Sequence, residues 1–235
     1  MLILSQRILF PQRRLHLKST IQRLNSSIPI SINTELDCTN QGIQTGKLLN
    51  QLLQNSSLSN IQHENCILLT GHVGAGKSTF ARGLIRELSP SAVDEDIPSP
   101  TYCLDFEYEL DKHKNNLVSN RFPRGVHHLD LYRLPGTDPK DLDALEFIEL
   151  TKRAVTLVEW PDRLATRNIA LPGALWVDIQ LSNDEEDSGA GNTEDMTEEM
   201  FEKWISTPRR LTFGCDEDSL WLKYIQGGDF LVQQT

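Results

Sequence analysis

An α/β fold in three layers, with helices on both faces of a mixed sheet whose centre is parallel, is the architecture the sequence predicts. Three features carry that prediction. Two short, almost wholly apolar runs, Cys66–Thr70 and Ala154–Val158, have the composition of strands buried on both faces. A glycine-rich turn and an amphipathic segment follow the first run directly, as in a strand–helix unit. The later strand-like pieces then succeed one another with few helices between them, which suits antiparallel additions around a parallel core.

Taken in order, the chain opens with a basic leader. Residues 1–34 carry Arg7, Arg13, Arg14, Lys18 and Arg23, and no acid precedes Glu35. The segment is rich in Ser, Gln and Leu, and its basic residues are spaced for one face of a loose helix. This is the composition of an organellar transit peptide, with a disordered basic arm as the alternative. Its apolar run Leu2–Leu4 is too short for a secretory signal. Pro29 and the turn-rich Ser31–Asn33 place its end near residue 32. Such a leader implies a mitochondrion or a plastid; without it the protein would be cytoplasmic.

Beyond the leader, Thr39 or Asn40 can cap a helix through Leu53, with Ile43, Leu48, Leu49 and Leu52 as its apolar stripe. A polar loop over Asn55–Gln62 leads to the first buried strand. Ser78 to Leu88 reads as a helix with Phe80, Leu84, Ile85 and Leu88 inward, and Ser89-Pro90 stops it. Ser99–Glu109 is expected to be extended, Lys112–Asn120 a polar insertion, and Val126–Leu131 a strand. Asp138-Pro139 can open a short helix, since proline suits a first turn, with Leu142, Leu145 and Ile148 as its apolar face.

Leu175–Leu181 alternates apolar and polar residues, as a strand nearer a sheet edge does. Asn183–Asp195 is acidic and glycine-bearing and reads as a surface loop. Arg210–Cys215 and Leu220–Ile225 are the last strand-like pieces. The domain plan is therefore a leader over residues 1–32, a core domain over 36–182, an acidic loop over 183–196, and an extension over 197–235 that completes or flanks the core.

Composition narrows the classes of function. Of 235 residues, 38% are hydrophobic and 24% charged, which suits a soluble, core-forming chain. No run of about 18 apolar residues argues for a membrane span. The net charge of −10 divides unevenly: outside the leader 18 basic residues face 33 acidic ones, a formal −15. A body so acidic is a poor surface for a nucleic-acid backbone, so any role near RNA would run through a partner. The four cysteines, Cys38, Cys66, Cys103 and Cys215, lie far apart with no C-x-x-C pair, and are expected to be reduced thiols.

The glycine-rich turn is the chemical centre of the sequence. Gly71-His72-Val73-Gly74-Ala75-Gly76-Lys77-Ser78 fits G-x-x-x-x-G-K-[ST] in full. At average residue frequencies a chain this long meets that pattern by chance at roughly the 1% level, so the match is specific. Gly71, Gly74 and Gly76 let the backbone curl so that the N–H groups of Val73, Gly74, Ala75, Gly76, Lys77, Ser78 and Thr79 converge on phosphate oxygens. The following helix adds its unpaired N–H groups and positive dipole end. Lys77 sets a point charge against the β- and γ-phosphates, and Ser78 offers a hydroxyl to Mg²⁺. ATP is the expected substrate and Mg²⁺ the expected cofactor.

A phosphate loop needs an acid for the metal and a group to orient the nucleophile. Glu159 follows the second apolar strand directly, where such an acid belongs; alone, it could also be a surface Glu at a strand end, a reading the phosphate loop makes the lesser one. Asp130 also ends a strand-like run, and beside Arg133 it could instead form a structural ion pair.

Four stretches in order then resemble one family. They are Gly74–Ser78 (Gly-Ala-Gly-Lys-Ser), Ser99–Tyr102 (Ser-Pro-Thr-Tyr), His128–Leu134 (His-Leu-Asp-Leu-Tyr-Arg-Leu) and Val158–Pro161 (Val-Glu-Trp-Pro). Over about residues 39–181 the chain resembles TsaE, the P-loop ATPase of the bacterial-type pathway that makes N6-threonylcarbamoyladenosine (t6A) at position 37 of tRNA. The resemblance implies that Thr101 is a switch residue near the γ-phosphate or the metal. It implies that Asp130 positions water or reaches the metal's water shell, and that Glu159 completes the Mg²⁺ site with Ser78. Trp160 would pack near the nucleotide or a partner, and His128 would be structural rather than a base. It further implies TsaD-like and TsaB-like partners, contact with tRNA only through that complex, and hydrolysis that is weak alone and stimulated by partners. His72 stands where the family has Asp or Asn, and the Lys112–Asn120 and Asn183–Asp195 segments have no typical counterpart.

Two other functions use the same loop. A small-molecule kinase would carry an arginine-bearing lid, but only Arg121 and Arg124 lie near a segment that could form one. A nucleotide-gated binding module without turnover would not need both Asp130 and Glu159.

Overall fold

The computed structural model describes residues 26–32, 35–55, 63–94, 97–100, 103–110, 125–134, 138, 140, 142–143, 146–182, 202 and 206–230. The leader before residue 26, Thr101, Lys112–Asn120 and Asn183–Asp195 lie outside them.

Seven strands form one sheet: β1 (Ser26–Ile32), β2 (Cys66–Thr70), β3 (Asp105–Glu109), β4 (Gly125–Asp130), β5 (Val155–Glu159), β6 (Leu175–Leu181) and β7 (Arg209–Cys215). Their spatial order is β1-β7-β6-β2-β5-β4-β3. The inner four, β6, β2, β5 and β4, pair in parallel, whereas β3, β7 and β1 join antiparallel at the two sides. This is the mixed sheet with a parallel centre that the sequence predicts.

Successive side chains of a strand face opposite ways, and the core divides accordingly. Ile67 and Leu69 of β2 with Val155 and Leu157 of β5 face one layer, shared with Phe80, Leu84 and Leu49. Cys66, Leu68 and Val158 face the other, with Phe147, Leu150 and Leu164. The first layer holds helices α1 (Glu35–Asn55), α2 (Lys77–Leu88) and α5 (Leu222–Gly227); the second holds the shorter α3 (Phe147–Arg153) and α4 (Asp162–Ala165). The result is the three-layer sandwich.

Helices α1 and α2 pack backbone against backbone. A Cβ on Gly42 would run into the carbonyl oxygen of Phe80, and one on Gly83 into that of Thr39. Glycine at both positions lets α1 settle directly on the helix that carries the phosphate loop. The cysteines are free thiols, with Cys38, Cys66 and Cys215 buried and Cys103 exposed.

Several elements differ from expectation, each for a tertiary reason. Residues 26–32, assigned to the leader, pair along the whole of β7, from Ser26 opposite Cys215 to Ile32 opposite Arg209. The folded body therefore extends on both sides of 36–182, and the last segment of the chain closes the sheet through β7. Because β7 and β1 lie beyond it, β6 is an inner strand and not one near the edge. Leu220–Ile225 does not extend the sheet: from Leu222 the chain forms helix α5, which buries Tyr224 and Ile225 in the first core layer. The helix expected from Asp138 begins only at Phe147, after Glu146 adopts a left-handed φ of 45°. Its buried face is Phe147, Leu150 and Thr151, and Ile148 is exposed. Helix α1 starts earlier than its expected caps, at Glu35.

Candidate active site

Parallel sheets of this kind bind ligands at the carboxyl ends of their strands, and every described site residue gathers there. Strand β2 ends at Thr70 and the chain enters the glycine-rich turn at once. Gly71, Gly74 and Gly76 take φ values of 137°, 76° and 109°, which side-chain-bearing residues rarely adopt. A Cβ on Gly71 would also collide with the carbonyl oxygen of Ile179 in β6. Helix α2 then starts at Lys77, with its N-terminus facing the turn and no side chain capping it. The first N–H groups of a helix have no intrahelical acceptor and suit an anion.

Lys77 is 5% exposed, and its Nζ donates to the carbonyls of Gly71 at 3.0 Å and His72 at 2.7 Å. The same ammonium lies 4.2 Å from the ring centroid of Trp160. Burial drives its pKa below the ordinary lysine value, and the carboxylates of Glu159, Asp130, Asp162 and Asp178 oppose that shift. The lysine thus folds back on the rim of its own loop, held in a ring of negative charge.

Glu159 and Asp130 are direct partners across the β4–β5 ladder, so the two carboxylates end neighbouring parallel strands side by side. The Ser78 hydroxyl donates to Oε1 of Glu159 at 2.8 Å and lies 3.3 Å from the Ser99 hydroxyl. Nε2 of His128 lies 2.9 Å from the same Oε1. Burial alone would raise the Glu159 carboxyl; the hydrogen bond and charge of His128, the charge of Lys77 and the Ser78 hydroxyl hold it below the ordinary range. An ionised acceptor places the His128 proton on Nε2, and its buried Nδ1 has no hydrogen-bond partner. Asp130 turns inward at 3% exposure, with Oδ1 accepting the amide of Tyr132 at 2.8 Å, while Arg133 is exposed.

The loop after β5 closes the site. Trp160 takes a left-handed φ of 61° and stacks obliquely on Tyr132, ring centroids 4.8 Å apart. Two residues on, Asp162 is pushed up to about 6 by burial and by Asp178, against the charges of Arg163 and Lys77. Its Oδ1 is buried without a hydrogen-bond partner.

The structure therefore brings together Lys77, Ser78, Asp130, Glu159 and the loop glycines. Thr101 falls outside the described residues. His128, expected to be structural rather than a base, makes direct contact with Glu159. The signal was present: His128 and Asp130 are two residues apart on one strand and so share a face. Among the described residues, no group of three or more His, Cys, Asp or Glu side chains is placed to hold a metal. One hydroxyl beside one carboxylate, Ser78 and Glu159, nevertheless fits a magnesium ion that takes its remaining oxygens from phosphate and water.

The family model described as "Threonylcarbamoyl adenosine biosynthesis protein TsaE" matches residues 39–191. A tRNA threonylcarbamoyladenosine biosynthesis protein TsaE from Aquifex aeolicus is 40% identical over 100 residues, 41% of this chain and 58% of its own length. Its counterpart from Nostoc sp. is 36% identical over 104 residues, 42% of this chain and 53% of its own. That from Rickettsia felis is 27% identical over 138 residues, 59% and 68% of the two chains. The chain thus spans little more than half the length of the first two relatives. Among solved structures, Bacillus subtilus YdiB is similar with a TM-score of 0.47 and 17% identity, over 86% of this chain and 93% of that one.

Proposed function

Since this chain belongs to the TsaE family, we propose that it is a magnesium-dependent ATPase required for forming the threonylcarbamoyl group at N6 of adenosine 37 in tRNA. One observation carries the proposal most directly. Ser78, at the start of the phosphate-loop helix, is hydrogen-bonded at 2.8 Å to Glu159, at the end of the neighbouring parallel strand.

In this reading the loop amides and the α2 N-terminus bind the phosphate chain. Lys77 leaves the carbonyls of Gly71 and His72 and turns to the β- and γ-phosphates, which are the stronger partners for an ammonium. Ser78 and Glu159 would hold the magnesium ion, which supplies positive charge against the same phosphates. His128 keeps Glu159 oriented and ionised. Asp130, ending the adjacent strand, orients the attacking water, and Thr101 senses the γ-phosphate.

Hydrolysis drives a partner cycle rather than the transfer chemistry. The partners are TsaD-like and TsaB-like proteins, with tRNA held by them, as suits the acidic body. Turnover is weak without partners because the sequence offers no obvious internal arginine finger. The leader before residue 26 would deliver the protein to a mitochondrion or plastid.

The test is complementation. Residues from 26 onward should restore t6A, measured in digested tRNA, to bacterial cells depleted of their own TsaE, and Asp130→Asn should bind ATP yet fail to restore it. Absence of rescue, together with no binding to the organellar TsaB and TsaD counterparts, would refute the biological role and leave the nucleotide site.

A further inference from the structure

The convergent amides of a phosphate loop have a consequence on its opposite side. When successive N–H groups face the ligand, carbonyls of the same peptides face the protein, and buried carbonyls need donors. Among the described residues, besides Lys77 within the loop, two side chains from outside it donate to loop carbonyls. Nε of Arg209 donates to the carbonyl of Ala75 at 3.2 Å, while its Nη1 donates to the carbonyl of Thr207 at 2.8 Å. The Cys38 thiol donates to the carbonyl of Gly76 at 3.3 Å.

The topology explains how the last strand reaches the loop. β7 runs antiparallel to β6, so its first residue, Arg209, stands opposite Leu181 at the carboxyl end of β6. That is the edge on which the phosphate loop sits. Helix α1, drawn against α2 by Gly42 and Gly83, brings Cys38 to the same place from the helix layer. The space is close: a Cβ on Gly76 would lie 3.2 Å from the Cys38 sulfur and 3.6 Å from Arg209 Nε.

Arg209 is 1% exposed, although arginine is almost never fully buried without a specific set of acceptors. Burying a guanidinium carries a large desolvation penalty that only well-placed acceptors offset. A strand seeking stability alone would place an apolar residue there. The guanidinium instead ties the rear of the loop and places a permanent positive charge behind a site that receives several negative ones.

We propose that Arg209, assisted by Cys38, is a positioning residue that holds the phosphate loop in its anion-binding shape from behind. The family match over residues 39–191 contains neither side chain. The inference rests on the nucleotide reading above for its consequence, and on the geometry of the free protein for the brace itself.

The experiment uses the full chain and two measurements. Hydrogen exchange by mass spectrometry follows the loop peptide over residues 71–78, and calorimetry follows binding of Mg-ADP. Arg209→Met should speed exchange in that peptide several-fold and weaken ADP at least ten-fold. Arg209→Lys, which keeps the charge but loses the guanidinium fork, should fall between, and carries the test should the methionine variant not fold. Ile225→Ala in α5 is the control for general destabilisation; its side chain is buried in the same core layer and belongs to no part of the loop. It should lower the melting temperature and leave both loop readouts unchanged.

Unchanged loop exchange and ADP affinity in the folded Arg209 variants would overturn the proposal. So would equal effects in Ile225→Ala, since Arg209 would then act only through overall stability. Faster loop exchange in a protein whose parent form binds no ADP would uphold the brace and refute the nucleotide reading.

Discussion

His128 and Glu159 meet at 2.9 Å on adjacent parallel strands, both almost wholly buried, with the imidazole donating to the oxygen that also accepts the Ser78 hydroxyl. The histidine thus helps to hold the charge and aim of the carboxylate proposed for the metal, together with Lys77 and Ser78. Glu159→Gln should reduce phosphate release by about 100-fold or more, the scale of losing one preorganised electrostatic group. His128→Ala should cost less, about ten-fold. It should also move the acid limb of the pH–rate profile upward, because a Glu159 without its donor takes up a proton at higher pH. Phosphate release followed from pH 5 to 8 in the two variants checks this. An acid limb identical to the parent's would remove His128 from the site.

Lys77→Ala should leave the fold intact, weaken Mg-ATP binding and abolish hydrolysis. The loss corresponds to a few kcal/mol, the scale of one strong transition-state donor. Titration calorimetry and a turnover assay test it together. Parental affinity and turnover in this variant would rule out the phosphate-loop assignment.

Asp162 predicts an unusual dependence of stability on pH. Its carboxyl is pushed up to about 6 in the folded protein, above its ordinary value. The folded state then holds the proton more tightly than the unfolded one, so this group's contribution is complete at low pH and is lost as pH rises through about 6. Asp162→Asn should be more stable than the parent at pH 7.5, by on the order of 1–2 kcal/mol after allowing for partial exposure. The difference should vanish near pH 4. Urea unfolding at the two pH values measures it; a gap independent of pH would contradict the assignment.

Gly83→Ala should separate α1 from α2, because the added carbon meets the backbone oxygen of Thr39, which cannot swing aside. Overpacking of this kind costs about 1–3 kcal/mol, and a backbone obstacle puts the variant at the upper end. Thermal unfolding gives the stability change. Weaker ADP binding should accompany it, since α1 carries Cys38 against the loop.

A fusion of residues 1–25 to a fluorescent protein should be delivered to an organelle. The fragment stops before Ser26 because the sheet begins there. Uniform cytosolic fluorescence would reduce those residues to a basic arm.

The fold class and the centre of the site were legible in the sequence because both depend on local chemistry. Runs such as Cys66–Thr70 announce strands with two buried faces, and glycines at positions 71, 74 and 76 favour the positive φ values the loop adopts. Ser78 and Glu159 could be named from the motif and from a strand end, without knowing that their side chains touch. Contacts between distant segments were not legible in the same way. Residues 26–32 resemble a leader until β7 offers them an edge to pair with, and Leu220–Ile225 resembles a strand until packing buries Tyr224 and Ile225 as one face of a helix.

His128, Cys38 and Arg209 each look ordinary in sequence. The first is a histidine inside a strand, the second a lone thiol, and the third one of two adjacent arginines. The parallel pairing of β4 with β5 sets His128 against Glu159, and the antiparallel return of β7 along β6 sets Arg209 behind Ala75. A backbone dihedral is chosen by its own residue, so the sequence determined the loop. A buried donor is chosen by whichever acceptor the packed chain leaves beside it, and tertiary structure alone decided that.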